Sequence, residues 1–317
     1  MKKFPIAACV FACALAHALE YKVAKISDGK AEADVCVDVS RNGYYRGMRF
    51  SPDGIVFSLN VGGHVYFGSR HDIHSPDLHD GVSGPVEEFL VVGYDDAKAG
   101  GDFLKIGVGM LEKTDTQPYN FRLPYKLKNA GTREVKTMSD RVEYVHKLSD
   151  KSGYGYVLKK TLLLDGNGGL KILCSLKNTG TKKIDSNVYN HNFFTVDNAP
   201  VDESVVVKFA FEPKAEFDGL GANAKIDGTR IRFLRRLSGE DRASLVGIGG
   251  GGVSANDISV EFGNVGAGVR VRCDKPLLKA VFWSDKKTVC PEPFVKISLS
   301  PNEETSWSWS YDFYNLK

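Results

Sequence analysis

Apolar and polar residues alternate along most of the chain, which is the pattern of β-strands that bury one face. RVEYVHKL, YGYVLKKTLLL and GLKILCSLKN show it clearly and are also rich in β-branched and aromatic residues. The last two segments flank DGNG at 165–168, a turn sequence typical of a β-hairpin. The pattern predicts a succession of strands, which continues to the C-terminus through SVVVKFAFEP, TRIRFLRRL, VRVRC, LLKAVFW and FVKISLS.

The strand pattern is not interrupted by a convincing long amphipathic helix or by a change in composition that would mark a linker. The chain has 317 residues, of which 42% are hydrophobic, enough for one large core. We therefore predict an all-β fold in which residues 19–317 form a single large domain of packed antiparallel sheets. A division into two sandwiches is the alternative, although nothing in the sequence marks the joint.

Residues 1–18 have the pattern of a secretory signal peptide. Lys2 and Lys3 form a basic start, FPIAACVFACALA follows as a short apolar segment, and AHA at 16–18 suits a cleavage site. The apolar segment is too short to span a bilayer. A lipoprotein-type cysteine in IAAC at 6–9 is the alternative, but almost no apolar segment precedes it. We expect cleavage near Ala18 and a secreted or periplasmic protein without a membrane span.

Charge and cysteine content narrow the function classes. Removing the two lysines of the leader from 42 basic residues leaves 40, against 39 acidic residues. Because no basic stripe or acidic tail appears, we expect no nucleic-acid partner. The cysteines after the leader show no zinc-binding spacing. Cys273 and Cys290 either form a disulfide or are both buried as small apolar residues. These cysteines are Cys36, Cys174, Cys273 and Cys290.

Two further motifs have ordinary explanations. GIGGGG at 247–252 contains GxGxxG, but no helix follows it, so we predict a flexible loop rather than a phosphate-binding site. In the last predicted strand, aromatic residues alternate and share one face. Such a face either binds sugars or belongs to the core, and we favour the core. Its residues are Trp307, Trp309, Tyr311 and Phe313.

Histidines and aspartates are concentrated in the segment 64–89, which its glycines and prolines identify as mostly loop. Imidazole and carboxylate groups suit a metal, but the HxxxH and HExxH spacings are missing, so we expect no metal site. We favour the polar rim of a binding site, with a solvated loop as the alternative. The polar residues are His64, His71, His74, His79, Asp72, Asp77 and Asp80.

Glu87 and Glu88 follow this segment in GPVEEF and open a predicted strand. Successive side chains of a strand point to opposite faces, so one of the two carboxylates faces inward. A carboxylate that faces inward needs a partner or a ligand. The sequence does not indicate which of the two it is.

VYNHNFF at 188–194 places a histidine between asparagines and aromatic rings. A strand over 188–196 presents a phenol, an imidazole and a ring on one face, which suits a pyranose; a core histidine with a local hydrogen bond is the alternative. The first face holds Tyr189, His191, Phe193 and Thr195, and the second holds Asn190, Asn192 and Phe194.

Glu292 lies between Pro291 and Pro293 in VCPEPF. Proline lacks the N–H that a strand ladder needs, and it forces the preceding residue into extended geometry. We expect a stiff, interrupted segment between the strands LLKAVFW and FVKISLS, which presents the carboxylate. A surface glutamate in a turn is the alternative.

Two of these segments resemble one protein family. NVYNHNFFTVD resembles the N-H-x-[YF]-F strand of aldose 1-epimerases, the galactose mutarotase family. VCPEPFVKISLSPNEETSW is similar to the C-terminal segment of the related hexose-6-phosphate epimerases, in which Cys-x-Glu-Pro precedes a strand and a Pro-Gly-Glu turn; this chain has Pro-Asn-Glu at 301–303. The order and separation of the two motifs match the family. The resemblance implies its β-supersandwich fold over the whole mature chain.

The resemblance also implies a reaction without a cofactor. His191 corresponds to the acid that protonates a sugar ring oxygen, and Glu292 to the base that takes the proton of the anomeric hydroxyl. The N-terminal arginine and second histidine of the family are not recognisable; Arg46 or Arg70 and His79 or His74 are the candidates. We expect one open concave site that binds a mono- or oligosaccharide. The substrate-binding residues expected beside the acid and base are His79, His74, Glu87, Glu88, Arg46, Tyr189, Asn190 and Phe193.

Two other functions stay open at this point. The same fold serves as a non-catalytic carbohydrate-binding module, which needs no matched acid and base. A polysaccharide lyase or glycosidase is the weaker alternative, with Glu292 and either Glu87 or Glu88 as paired carboxylates. The sequence leaves the sugar and the oligomeric state, monomer or dimer, undetermined.

Overall fold

The computed structural model describes residues 21–317, so the predicted signal peptide lies outside the described residues. The described chain contains short and long β-strands and one short 3₁₀ helix, Val253–Ala255. The strands are β1 (Val23–Ser27), β2 (Ala31–Cys36), β3 (Val56–Val61), β4 (His64–Tyr66), β5 (Val86–Phe89), β6 (Asp102–Lys105), β7 (Gly109–Glu112), β8 (Lys126–Asn129), β9 (Thr132–Thr137), β10 (Arg141–Ser149), β11 (Gly155–Leu164), β12 (Leu170–Asn178), β13 (Ile184–His191), β14 (Val205–Phe209), β15 (Phe217–Asp218), β16 (Ala224–Asp227), β17 (Arg230–Phe233), β18 (Ala243–Gly251), β19 (Asp257–Phe262), β20 (Ala267–Cys273), β21 (Leu277–Ser284), β22 (Val289–Leu299) and β23 (Glu304–Asn315).

Two large antiparallel sheets dominate the architecture. The larger has ten strands in the order β16-β17-β14-β19-β20-β23-β12-β11-β10-β9, and the smaller has six in the order β15-β18-β21-β22-β13-β5. A four-stranded sheet, β1-β2-β3-β4, and a three-stranded sheet, β6-β7-β8, complete the fold. The all-β prediction with large packed antiparallel sheets is confirmed.

The alternating pattern forms the core between the two large sheets. Buried and partly exposed residues alternate along β12, and the predicted hairpin closes with Leu164 of β11 opposite Leu170 of β12. The aromatic face of β23 is also core, since Trp309 is fully buried and Tyr311 is 1% exposed. These side chains pack with inward residues of the six-stranded sheet such as Phe89 of β5. Burying them removes large apolar areas from water, which stabilises the sandwich.

A second, smaller apolar cluster lies on the other face of the six-stranded sheet. Val86 of β5 contributes to this cluster, whereas Phe89, three residues further along the same strand, belongs to the main core. β5 therefore separates the two clusters. Phe50, from the segment between β2 and β3, and Phe193 also belong to this cluster. The six-stranded sheet is therefore covered on both faces near β5 and β13.

The glycine-rich segment is not the loop that the sequence predicts. GIGGGG continues β18 as far as Gly251, opposite β21. A Cβ atom on Gly250 would lie only 2.1 Å from the carbonyl oxygen of Leu278, so this close approach of backbones requires glycine. Gly250 thus lets β18 and β21 pack closely.

The four cysteines within residues 21–317 are all free and buried, so Cys273 and Cys290 do not form a disulfide. Burial raises the pKa of the Cys36 thiol to about 12, because an apolar environment disfavours the thiolate. These residues act as small apolar groups. No helix within residues 21–317 has the length and apolarity needed to cross a bilayer.

Neighbouring residues of β12 test the assignment of its two faces. Ile172 is fully buried between the large sheets, whereas Leu173 is 41% exposed on the outer face. Ile172→Ala should lower the free energy of unfolding by about 2–5 kcal/mol because it leaves a cavity. Leu173→Ala should change it by no more than about 0.5 kcal/mol. Urea denaturation of both variants measures the difference, and equal losses would contradict the assigned faces.

Candidate active site

The register of β13 brings the two sequence motifs together. In the six-stranded sheet β13 lies between β5 and β22. Tyr189 pairs with Glu88 of β5, and Val188 pairs with Val295 of β22. If the antiparallel register with β22 continues, His191 lies directly opposite Glu292. Since alternate residues share a face, Tyr189, His191, Glu88 and Glu292 all point away from the main core.

His191 and Glu292 are in contact. The imidazole Nε2 lies 3.1 Å from a carboxylate oxygen of Glu292, although the residues are far apart in the sequence. Both are buried, with 5% and 4% of their surface exposed. The other ring nitrogen of His191, Nδ1, is buried and has no hydrogen-bond partner within residues 21–317. The site thus contains an imidazole and a carboxylate that can exchange a proton, in an environment largely free of water.

Phe193 forms the floor beneath the imidazole because the strand ends earlier than the sequence predicts. β13 stops at His191 instead of continuing to residue 196, and Phe193 has a positive φ of 41°. Residues two apart in a strand are separated by roughly 6.6 Å. The turn brings the Phe193 ring to 3.7 Å from the His191 ring, nearly parallel at 15°. Phe50 contacts the imidazole with its edge, so apolar rings hold it on two sides.

The prolines beside Glu292 do not break the strand. β22 runs continuously from Val289 to Leu299, and Pro291 and Pro293 both pair with residues of β21. On the side of β13 the regular pairing begins only at Val295. Prolines are tolerated where a strand lacks ladder hydrogen bonds on one side, and this gap provides such a place. The interruption that the sequence predicts is therefore on one edge of the strand only.

Glu88 is the centre of a buried ionic network. One carboxylate oxygen accepts a hydrogen bond of 2.7 Å from Nε of Arg49 and another from the hydroxyl of Tyr189. The other oxygen accepts a hydrogen bond of 2.8 Å from Nζ of Lys105. Arg49 also donates through Nη2 to the Tyr189 hydroxyl, at 2.9 Å. Burial alone would raise the pKa of Glu88, but Lys105 and Arg49 lower it to about 2, so this carboxylate stays ionised.

Burial and charge set the protonation of His191 and Glu292. Burial raises the pKa of Glu292 to about 8, against the influence of Arg49 and with a smaller contribution from Glu88. Burial also holds the pKa of His191 well below its ordinary value, and the positive charge of Arg49 acts in the same direction. Near neutral pH the pair therefore keeps one transferable proton, located on Glu292. The imidazole is then neutral and able to accept it.

Side chains from two loops form a cover over Arg49, which lies near the pair. Phe121, in the segment between β7 and β8, stacks on the guanidinium of Arg49 at 4.2 Å, and its ring lies 5.6 Å from that of His79. The sequence led us to expect an open concave site, but Tyr189, His191 and Glu292 are each no more than 5% exposed. The three side chains are therefore enclosed, and a ligand contacts them only if neighbouring side chains move.

Asp80 organises the loop histidines at the edge of the site. It accepts hydrogen bonds from Arg70 and His71, and Nδ1 of His79 lies 3.7 Å from it. These partners lower the pKa of Asp80 even though burial opposes the change. The guanidinium of Arg70 lies 4.7 Å from the ring of Trp283, which in turn contacts the edge of the His191 ring. The loop thereby places His79 and Arg70 near the pair.

Several expected substrate-binding residues lie elsewhere. Arg46 forms an exposed ion pair with Asp77, so its guanidinium faces solvent. The ring of His74 stacks on Tyr44, and its Nε2 donates a hydrogen bond to the Tyr44 carbonyl oxygen. Neither residue lies beside His191 and Glu292.

Glu87 and Asn190 point into the sandwich, because each directly precedes a residue of the site face. Glu87 is fully buried and accepts a hydrogen bond from Sγ of Cys174 on the opposite sheet. Burial raises its pKa, which favours the protonated form. Asn190 donates to the hydroxyl of Tyr311 in the main core. Of the two adjacent glutamates, Glu88 is the one on the site face.

Arg49, Lys105 and Phe121 belong to the site but are not identifiable from the sequence. Arg49 lies only three positions after Arg46 in YYRGMRF, the segment that suggests an arginine. The sequence shows one difference between the two arginines: Arg49 directly precedes Phe50, an apolar residue, whereas Arg46 is followed by glycine. Lys105 and Phe121 lie in segments without any motif. Within residues 21–317 no group of three or more histidine, cysteine or acidic side chains is arranged to hold a metal ion.

Sequence comparison identifies no relative, whereas structural comparison identifies many. No protein-family model and no curated protein matches the chain. A galactose mutarotase-like protein from Clostridium acetobutylicum superposes with a TM-score of 0.58 at 16% identity, over 94% of this chain and 96% of that one. A galactose mutarotase-like protein from Lactobacillus casei gives 0.57 at 11% identity, over 92% and 100%. A GalM/aldose epimerase homologue from C. elegans gives 0.52 at 12% identity, over 93% and 99%.

These matches extend over nearly the whole length of both chains, so the shared architecture is that of the entire described structure. At such low identities the likeness concerns the fold alone. The fold implied by the two sequence motifs is confirmed, and the chain has the galactose mutarotase-like β-sandwich fold.

Proposed function

We propose that this protein interconverts the anomers of a free sugar by general acid and base catalysis, with His191 and Glu292 as the reacting groups. The observation that carries the proposal is their contact at 3.1 Å within a buried site. An imidazole and a carboxylate of this kind are the two groups that ring opening and reclosure require. The mutarotase-like fold supports the same activity.

The reaction needs one proton taken and one given. One member of the pair removes the proton of the anomeric hydroxyl while the other protonates the ring oxygen. The bond between C1 and the ring oxygen breaks as the C1 carbonyl forms. Rotation about C1–C2 then presents the other face of the aldehyde, and the same two transfers in reverse close the ring. The sugar and the protein both regain their initial protonation state.

The single transferable proton of the pair suits this exchange. In the family pattern His191 is the acid and Glu292 the base, which corresponds to an imidazolium and a carboxylate. The pKa of Glu292, about 8, favours the neutral form of the same pair. The two forms differ only by movement of one proton across the contact, so either protonated member can act as the acid. Arg49 lies close enough to stabilise the ionised form of Glu292.

The surroundings of the pair support a sugar as the substrate. Trp283, which is only partly buried, offers a ring surface for the C–H face of a pyranose, and Arg49 and His79 offer donors for hydroxyls. The cover that includes Phe121 favours a substrate small enough to be enclosed. A monosaccharide fits this requirement best, and an oligosaccharide would enter with its reducing end, which carries the only free anomeric hydroxyl.

The arrangement of Glu88 speaks against a glycosidase. Such an enzyme needs a second carboxylate that can act as nucleophile, acid or base. Both oxygens of Glu88 already accept hydrogen bonds from protein groups, and Glu87 points into the core. A polysaccharide lyase or glycosidase built on Glu292 and either neighbour therefore has no observation in its favour.

The leader adds a proposal about location. Residues 1–18 have the sequence pattern of a signal peptide, so we propose that the mature protein is exported and acts on sugars outside the cytoplasm. N-terminal sequencing of the protein recovered from cells should begin at Leu19 or close to it. A protein that retains Met1 and remains in the cytoplasm would contradict this.

Substitution of the reacting pair tests the activity. His191→Gln and Glu292→Gln should each reduce the accelerated anomer exchange by about 10²-fold or more, because matched acid and base catalysis is worth roughly that much. Polarimetry on freshly dissolved galactose, glucose and uronic acids measures the exchange. Glu203→Gln, the same change at an exposed position, should keep the wild-type rate.

Two results would contradict the proposal. Folded His191→Gln and Glu292→Gln proteins that keep the wild-type acceleration would show that the pair does not react. Saturable sugar binding by the wild-type protein, without any acceleration over this panel, would instead favour a carbohydrate-binding module.

The pH profile of kcat/KM tests the protonation of the pair. Activity requires one transferable proton, so it should fall as the pH rises through about 8, where Glu292 loses that proton. At lower pH the pair gains a second proton only when His191 is protonated. The pKa of His191 is well below 6.5, the ordinary value for histidine. We expect a plateau from below pH 6.5 to about pH 8, after subtraction of the buffer-catalysed rate. If activity instead falls as the pH rises through about 6.5, burial does not set the pKa values of Glu292 and His191.

A further inference from the structure

The carboxylate of Glu88 is engaged by protein partners on both of its oxygens. Its two oxygens accept hydrogen bonds from Arg49, Tyr189 and Lys105, and only 3% of the residue is exposed. A carboxylate that binds a sugar offers its oxygens to hydroxyl groups, and these oxygens are already engaged. Glu88 therefore acts through its protein partners.

Arg49 is the partner that reaches the reacting pair. Its Nε is fixed by Glu88, its Nη2 by Tyr189, and its flat guanidinium lies between the rings of Phe50 and Phe121 at 4.5 and 4.2 Å. Its Nη1 forms no hydrogen bond with residues 21–317. This arrangement holds the guanidinium in one orientation and leaves one nitrogen available to a ligand.

Lys105 makes the local charge positive. It is fully buried, and together with Arg49 it places two cations against the single carboxylate of Glu88. Buried charges that are not compensated are costly, so such an excess calls for an explanation. The group beside Arg49 that can become negative is Glu292, whose ionised form Arg49 stabilises.

We propose that Glu88, held by Lys105 and Tyr189, is a positioning residue that fixes Arg49 beside Glu292, with Nη1 directed at a hydroxyl of the enclosed sugar. This inference rests on the proposed function and specifies how the site is organised for it. Arg49 contacts the substrate, and Glu88 does not. The alternative is that the network only stabilises the fold.

The adjacent glutamates of β5 provide a matched pair of substitutions. Glu88→Gln removes the charge that holds Arg49, whereas Glu87→Gln makes the same change one residue earlier, on the opposite face of the strand. Small displacements of a positioning group can lower the rate by up to about 10²-fold. We expect Glu88→Gln to lower kcat/KM by roughly ten- to a hundredfold, chiefly through a higher KM, and Glu87→Gln to leave it within about twofold.

The pH profile separates positioning from a merely structural role. Glu88 raises the pKa of Glu292, so removing its negative charge should lower that pKa and move the alkaline fall in activity below pH 8. Glu87 has no such influence, and Glu87→Gln should keep the wild-type profile. A Glu88→Gln protein with unchanged kcat/KM and an unchanged profile would overturn the proposal.

A second variant removes the ambiguity of misfolding. Glu88→Gln alone leaves Lys105 buried without its carboxylate and can unfold the protein for that reason. Combining Glu88→Gln with Lys105→Met removes both charges and should restore folding. The double variant should show the same rise in KM and the same shift of the profile; wild-type values in it would overturn the proposal.

A readout without turnover distinguishes this inference from the proposed function. ¹³C NMR of the labelled Glu292 carboxyl group follows its titration in wild-type, Glu87→Gln and Glu88→Gln proteins. A lowered Glu292 pKa in Glu88→Gln alone supports the positioning network even if no sugar tested is turned over. Normal anomer exchange in the wild type, with no effect of Glu88→Gln on exchange or titration, would contradict the network and leave the proposed function intact.

Discussion

The register of β13 between β5 and β22 is the constraint on which the site depends. It places Tyr189 opposite Glu88 and, continued towards β22, His191 opposite Glu292. A shift of one residue would turn His191 into the sandwich and bring Asn190 to the site face. The inward residues of the same strands prevent such a shift, because Val188 and Phe89 are buried in the main core. The hydrophobic core thus fixes the geometry of the polar site on the other face.

Burial then gives these groups their chemical character. In water, Glu292 and His191 would be an ordinary carboxylate and an ordinary imidazole. Behind the cover, burial raises the pKa of Glu292 and lowers that of His191, so that one proton is shared near neutral pH. Arg49, whose orientation is set by Glu88, provides the charge that favours ionisation of Glu292. The same enclosure means that the proposed sugar contacts the pair only after neighbouring side chains move.

Much of the fold and part of the candidate site could be predicted from local sequence patterns and short motifs. Alternation predicted the strands, the all-β fold and the core face of β23, and the two short motifs identified His191 and Glu292 in the order that the structure brings together. The separation of Glu87 and Glu88 to opposite faces also follows from alternation. Local patterns predict to which face of its strand a side chain points.

Contacts between segments that are far apart in the sequence could not be predicted, because no fixed spacing relates their residues. Arg46 and Arg49 differ in their surroundings only after the chain folds, since one meets solvent and Asp77 and the other meets Glu88. Lys105 and Phe121 reach the site from a separate small sheet and its loop. The end of β13 at His191 depends on the backbone of Phe193, whose positive φ is uncommon for an aromatic residue. These features arise from tertiary packing and turn geometry rather than from periodicity.

A crystal structure with bound galactose or glucose would test the central claim most directly. The account predicts the sugar beside the pair, with its ring oxygen and anomeric hydroxyl within hydrogen-bond distance of His191 and Glu292 and with Phe121 displaced. The sugar bound at another surface, with Phe121 still covering an unoccupied pair, would contradict it.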